Sequence, residues 1–132
     1  MNKKLFIRGY IQAALWSSTC TESDDCEFLD EKYDESDLAK ETLEHMEKDC
    51  IKFIKENDDD LFEYAEKRVL PNDGEYTASD CAGHDFWLTR NGLGAGFWDR
   101  GLKRLGDRLT SATEKFPEID LYVGDDGKIY QM

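Results

Sequence analysis

Leu43, Met46, Cys50 and Phe53 recur at steps of three, four and three residues, with Ile54 beside the last. An α-helix brings such positions onto one face, so the middle of the chain is committed to a helix with one buried side. Ser36 or Asp37 is placed to cap it. Asn57-Asp58-Asp59-Asp60 breaks the helix, and the same acids suit the first turn of a second one. That helix runs to about Val69, with Leu61, Tyr64, Ala65 and Arg68 on neighbouring faces. Pro71-Asn72-Asp73-Gly74 predicts a loop. Upstream, Ile7, Tyr10, Ile11, Ala14 and Leu15 fit one helical face over residues 4–16. Gly9 weakens that face and leaves a short strand at 5–7 open. Residues 17–35 are polar and acidic, anchored by Phe28, Leu29 and Tyr33, and predict a loop or tethered arm.

The last third changes character. His84-Asp85-Phe86-Trp87-Leu88-Thr89-Arg90 is rich in aromatic and β-favouring residues, and Asn91-Gly92 is a strong hairpin signal. Gly94-Ala95-Gly96-Phe97-Trp98-Asp99 then resumes an extended run. Leu102, Leu105, Leu109, Ala112 and Phe116 stripe a helix of about 14 residues, ended by Pro117. Leu121-Tyr122-Val123 and Lys128-Ile129-Tyr130 flank Gly124-Asp125-Asp126-Gly127 as a second hairpin. The order is helices, β-hairpin, helix, β-hairpin. It predicts a single α+β domain over 1–132, with a small antiparallel sheet packed on helices and an acidic loop at about 17–35.

Charge bounds the partners. The 132 residues carry net charge −13. The excess is local: residues 21–80 hold 22 acids against 7 bases, whereas residues 81–132 hold 8 against 7. Acidity of this order argues against gripping nucleic-acid phosphates or anionic lipid directly. No apolar run approaches the roughly 18 residues of a membrane helix. Lys3-Lys4 ahead of Leu5-Phe6-Ile7 faintly resembles a signal-peptide opening, but Arg8 and Gln12 interrupt it and no cleavage site follows. Cys20, preceded by Ser17-Ser18-Thr19, lacks a lipoprotein context. The expectation is a cytoplasmic protein whose Cys20, Cys26, Cys50 and Cys81 are free thiols.

The segment Ala82-Gly83-His84-Asp85-Phe86-Trp87-Leu88-Thr89-Arg90-Asn91-Gly92-Leu93-Gly94-Ala95-Gly96-Phe97-Trp98-Asp99-Arg100-Gly101 resembles a motif of small acidic proteins encoded by bacteriophages and related mobile elements. The resemblance extends to Ala13-Ala14-Leu15-Trp16-Ser17-Ser18 and to residues 120–130, about a third of the chain closely. It implies a phage setting and no particular reaction. Similar proteins often carry histidine between the two glycines where this chain has Leu93, which puts a role for an imidazole there in doubt.

Several groupings can carry chemistry. In the segment from His84 to Arg100, the faces of Trp87 and Trp98 and the cations Arg90 and Arg100 can stack a base or clamp a phosphate. His84, Asp85, Trp87, Arg90, Trp98, Asp99 and Arg100 are therefore candidates for holding a nucleotide, peptide or protein. The plain alternative is that alternate aromatics simply face a core. The glycine spacing at 92–96 is not a dinucleotide fingerprint, because no βαβ unit surrounds it. His84 with Asp85 or Asp99 offers a hydrolase acid–base pair, but no nucleophile sits in a recognised elbow. Cys81-x-x-His84 with Cys20-x5-Cys26 offers four zinc ligands, although the second spacing is wide. Gly124-Asp125-Asp126-Gly127 is too short for a calcium loop. No metal or cofactor is expected.

The acidic middle reads as either a solvated face or a nucleic-acid mimic. Asp37, Glu41, Glu44 and Lys48 step along one face, and Asp34, Glu47, Asp49, Asp58, Asp59, Asp60, Glu63 and Glu66 extend the field. Lys48, Lys52 and Lys55 fall at helical spacing from acids, and such pairs blunt the field. The leading expectation is a non-catalytic phage accessory protein. Its acidic helical surface would bind a basic host protein, such as a restriction or CRISPR effector, and compete with that protein's nucleic acid. Oligomeric state is left open.

Overall fold

The computed structural model describes residues 1–20, 26–71 and 74–132. Residues 21–25 of the expected acidic loop and Asn72-Asp73 of the expected turn lie outside the described residues. Five α-helices and one two-stranded antiparallel sheet make up the described fold. They are α1 (Lys3–Ser17), α2 (Lys40–Glu56), α3 (Asp58–Lys67), α4 (Ala78–Arg90), α5 (Arg104–Thr113), β1 (Leu121–Val123) and β2 (Ile129–Gln131). Among the described residues, no helix is long and apolar enough to cross a membrane.

Local chemistry accounts for the element ends. The Asn2 side chain accepts from the Leu5 N–H and caps α1. Asn57 separates α2 from α3, and Asp58, Asp59 and Asp60 fill the first turn of α3, where the helix dipole favours anions. Thr77 and Asp80 form a reciprocal capping box that starts α4. The expected cap at Ser36 or Asp37 falls elsewhere: Asp34 caps a short 3-10 turn, Glu35–Asp37, and α2 begins behind Ala39.

α1 and α4 cross with almost no separation. Gly9 faces the Asp80 carbonyl and Gly83 faces the Phe6 carbonyl, and a Cβ on either glycine would overlap that backbone. Glycine is thus required at both positions by close approach rather than by backbone angle. Around this crossing lies an aromatic core. Phe53 stacks on Phe86 with ring centroids 4.2 Å apart, Tyr10 meets Trp87 edge-on at 5.2 Å, and Phe116 meets Phe86 edge-on at 5.1 Å. Each such side chain contributes about 1.5–3 kcal/mol by burial, and offset or edge contacts add about 0.5–1.5 kcal/mol per pair.

Three expectations are corrected. Residues 84–90 form part of α4, so the first expected hairpin does not exist. Asn91-Gly92 instead ends the helix: Asn91 is its C-cap and Gly92 takes φ 60°. A glycine in the left-handed region stops a helix as readily as it turns a hairpin. Phe97–Asp99 is a 3-10 turn and not a strand. The helix expected from Leu102 is shorter, because Gly101 at φ 73° and Lys103 at φ 57° delay its start to Arg104. The second hairpin is present, pairing Tyr122 with Tyr130 and Val123 with Ile129. Its outer edge is tied to the chain ahead of α2 by a parallel bridge between Leu38 and Ile129.

Cys20 and Cys26 are disulfide-bonded, with Cα atoms 5.6 Å apart, which corrects the expectation of four free thiols. Cys50 and Cys81 are free and buried. A bridge from Thr19 to Phe28 and a 3-10 turn at Leu29–Glu31 give further order to the stretch expected to be a loop.

Candidate functional site

α4 carries most of the chemistry-bearing residues of the 84–100 segment, and the core claims many of them. Trp87 is 2% exposed and its indole N–H donates to the Ser17 hydroxyl at 2.7 Å. Arg90 is buried, donating to Asp49 at 2.7 Å, to the Pro117 carbonyl at 2.7 Å and to the Tyr10 hydroxyl at 3.2 Å. These two residues fix α4 to its neighbours. Trp98 is 53% exposed. The Asp99 carboxylate accepts from the Gly96 N–H at 3.0 Å.

His84, Asp85 and Arg100 do come together. Asp85 is buried, and its Oδ1 accepts from Arg100 Nε at 3.0 Å and Nη2 at 2.8 Å. Its Oδ2 accepts the Tyr64 hydroxyl at 2.7 Å, and Arg68 Nε stands 3.7 Å away. One turn earlier, the buried Asp80 takes a two-pronged contact from Arg8, Nε at 2.8 Å and Nη2 at 2.9 Å, and closes the Thr77 cap. Burial works against the charge of Asp80, yet the Arg8 guanidinium and the Thr77 donors hold its carboxyl below the ordinary range.

Beside this network lies a hollow of about 220 Å³, walled by Arg68, Pro71, Tyr76, Asp80, Cys81, His84, Asp85 and Arg100. Tyr76 and His84 also edge a groove of about 570 Å³ between α1 and the 30–35 stretch, where Trp16, 55% exposed, sits near Asp30, Asp34 and Glu35. The Trp16 and His84 rings are 5.9 Å apart.

Burial pushes the Cys81 thiol up and the His84 imidazole down from their ordinary values. Near pH 7 α4 therefore presents a neutral thiol and a neutral imidazole, not a thiolate–imidazolium pair. His84 makes no hydrogen bond to Asp85 or Asp99 among the described residues, and the Asp85 carboxylate is already taken by Tyr64 and Arg100. Two of the four residues considered as zinc ligands, Cys20 and Cys26, are joined to each other. In the 124–127 turn, Asp126 accepts from the Lys128 N–H and the Tyr130 hydroxyl, which is what a turn asks of it.

The acidic stretch behaves differently. Asp49 pairs with Arg90, Asp60 and Glu63 pair with Arg108, and Glu63 also pairs with Lys67. Asp34 accepts from the Ser36 N–H and Asp37 from the Asp34 N–H, both local caps. Glu41, Glu44, Glu47, Asp58, Asp59 and Glu66 make no ion pair among the described residues, and all but Glu47 are exposed. The expected neutralisation by Lys48, Lys52 and Lys55 is not made as ion pairs among the described residues; Lys52 lies over the Phe116 ring instead.

Sequence reasoning missed Arg8, Tyr64, Arg68 and Tyr76 as members of the α4 site. The local signal it passed over was Thr77-x-x-Asp80, a capping box that marks a helix start ahead of His84. No family model matches the chain, and no curated protein or solved structure matches it either.

Proposed function

We propose that the protein is a non-catalytic accessory protein that binds a basic partner protein through the carboxylates of residues 34–66. The observation supporting this reading is that Glu41, Glu44, Asp58, Asp59 and Glu66, exposed carboxylates on α2 and α3, make no ion pair among the described residues. An internal salt bridge would satisfy a carboxylate within the fold; an unpaired exposed one keeps its field for a partner. Each exposed pair formed at such a surface is worth only about 0.2–1 kcal/mol, so affinity needs many of them together. Association is then steered by charge and weakens with salt. The resemblance to bacteriophage proteins makes a host nucleic-acid-binding enzyme in the cytoplasm, a restriction or CRISPR effector, the partner to test first. The protein would occupy the surface that enzyme offers to nucleic acid.

The test is binding to purified effectors at about 50 mM and about 500 mM salt, with and without competing DNA. The reading expects steep loss of affinity with salt, displacement by DNA, and loss of binding when Glu41, Glu44, Asp58 and Asp59 become lysine. Affinity that is flat with salt, or unchanged in that variant, overturns it.

A further inference from the structure

We propose that the groove between α1 and the 30–35 stretch binds an arginine side chain of a protein partner, with Trp16 as its platform and Asp30, Asp34 and Glu35 as its anionic rim. The proposal deepens the reading above and rests on it, because the basic partner supplies the arginine. Trp16 is 55% exposed at the groove's edge, while Ile11 and Leu15 of the same helix are buried beneath it. An indole is the best cation platform among side chains, and its apolar body gains by being covered. Among the described residues the cation–ring contacts lie on Phe86 and Phe116, and none lies on Trp16 or Tyr76. Asp30 and Glu35 are exposed and make no ion pair among the described residues. Asp34 accepts from the Ser36 N–H and hydroxyl, neutral donors that hold it ionised. Two lining groups could oppose a cation. The Arg8 guanidinium is answered by the buried Asp80 carboxylate, at 2.8 Å and 2.9 Å. Burial holds the His84 imidazole below its ordinary value, so near pH 7 it is a neutral ring 5.9 Å from Trp16.

Shape and chemistry together select the occupant. About 570 Å³ has room for about nineteen water-sized groups, enough for an arginine side chain and the backbone that carries it. An anion would meet three carboxylates. A wholly apolar ligand would strip water from those carboxylates and return no hydrogen bond. A guanidinium satisfies both surfaces: its face lies on the indole while its edge donates to a carboxylate in its own plane. The Tyr33 and Tyr76 rings line the same space and give apolar wall to the methylene stem behind the charge. A lysine ammonium is a compact, strongly hydrated point charge, so it gives up more water for the same contacts and cannot stack.

The experiment titrates the blocked peptide acetyl-Gly-Arg-Gly-amide into the full chain, with lysine and the neutral isostere citrulline in place of arginine as comparisons. Binding is followed by NMR of the Trp16 indole N–H and of the backbone amides of residues 11–16 and 30–35. We expect saturable shifts with the arginine peptide, about threefold weaker binding or more for lysine, and about tenfold or more for citrulline. Trp16→Ala should weaken the arginine peptide about tenfold or more, and Asp30→Asn with Glu35→Gln about threefold or more. Trp98→Ala, at the other exposed indole, should leave it unchanged. Thermal melts verify that each variant is folded. Absence of saturable shifts overturns the proposal, as does equal affinity for the citrulline or lysine peptide or equal affinity in folded Trp16→Ala. The two readings fail separately. A peptide that binds as expected while no effector does supports the groove and sinks the basic-partner reading. An effector bound through Glu41, Glu44, Asp58 and Asp59, with the peptide silent, does the reverse.

Discussion

α4 and α2 both carry charged side chains at helical spacing, yet they use them in opposite ways. α4 buries Asp80, Asp85 and Arg90 and hands each to partners on other segments: Arg8 on α1, Tyr64 on α3, Asp49 on α2, and Arg100 beyond the helix. α2 leaves Glu41 and Glu44 exposed, with no ion pair to either among the described residues. Buried paired charges contribute little net stability, because desolvation offsets attraction, but they penalise any packing that separates the pair. The three pairs of α4 therefore act as orientation locks on the helix at the centre of the fold. Glu41 and Glu44 make no such lock among the described residues, and they belong to the surface proposed to meet a partner.

The largest effects should come where α4 is most tightly held. Gly83→Ala and Gly9→Ala place a methyl against opposing backbone that has no flexible end to give way. In an ordinary helix interior this change gains about 1 kcal/mol. Here the sign reverses, and either variant should lose about 3 kcal/mol or more in chemical denaturation. A neutral or stabilising result would mean the two helices do not cross as closely as described. Next comes Arg100→Met, which leaves Asp85 buried with Tyr64 as its hydrogen-bond partner and should cost about 3 kcal/mol. The equivalent loss on the acidic side, Lys67→Met opposite Glu63, should cost less than about 0.5 kcal/mol, because that pair is exposed. Equal costs would erase the contrast between α4 and the acidic surface of α2 and α3.

Acid should separate the regions again. The folded His84 imidazole titrates below its ordinary value near 6.5, so the unfolded chain takes up its proton first. Stability is then full above that value and falls as pH drops through the folded pKa. Asp80, held below its ordinary 3.8, works in the same direction in a lower window: its contribution is present above about 3.8 and is lost as pH falls through its folded value. Melting temperature measured from pH 7 to 3 should thus decline in two stages. His84→Gln should flatten the upper stage and Asp80→Asn the lower one. If neither variant changes the slope, the α4 groups are not what titrates.

How much of this was readable depends on which faces each element shows to water. α2 and α3 were legible because an apolar stripe alternates with charge, and the second hairpin because Gly124 and Gly127 punctuate short strands. α4 was not, because ten of its thirteen residues are buried. A helix wetted on so little of its surface shows no polar stripe, and its Phe86-Trp87-Leu88 run then imitates a buried strand. Asn91-Gly92 completed the imitation, since a left-handed glycine serves both structures. At the site, His84, Asp85 and Arg100 were found from their residue types alone. Arg68 and Tyr64 were not, because their part depends on α3 packing across α4, a contact between distant segments with no local signature.

The smallest expected effect on stability belongs to the surface with the largest expected effect on binding. Replacing Glu41, Glu44, Asp58 and Asp59 with lysine removes no internal pair, so each change should alter unfolding free energy by less than about 0.5 kcal/mol. The dipole argues for a small asymmetry within the set. Asp58 and Asp59 sit in the first turn of α3 and Glu41 in the first turn of α2, where lysine opposes the positive end of the helix. Glu44 lies one turn further in, beyond the reach of that field. The three N-terminal changes should therefore cost up to about 0.5 kcal/mol each at low salt, and Glu44→Lys close to nothing. Added salt should shrink the difference. If all four cost several kcal/mol, these carboxylates belong to the fold, as those of α4 do, and the division of labour between α4 and the acidic surface of α2 and α3 fails.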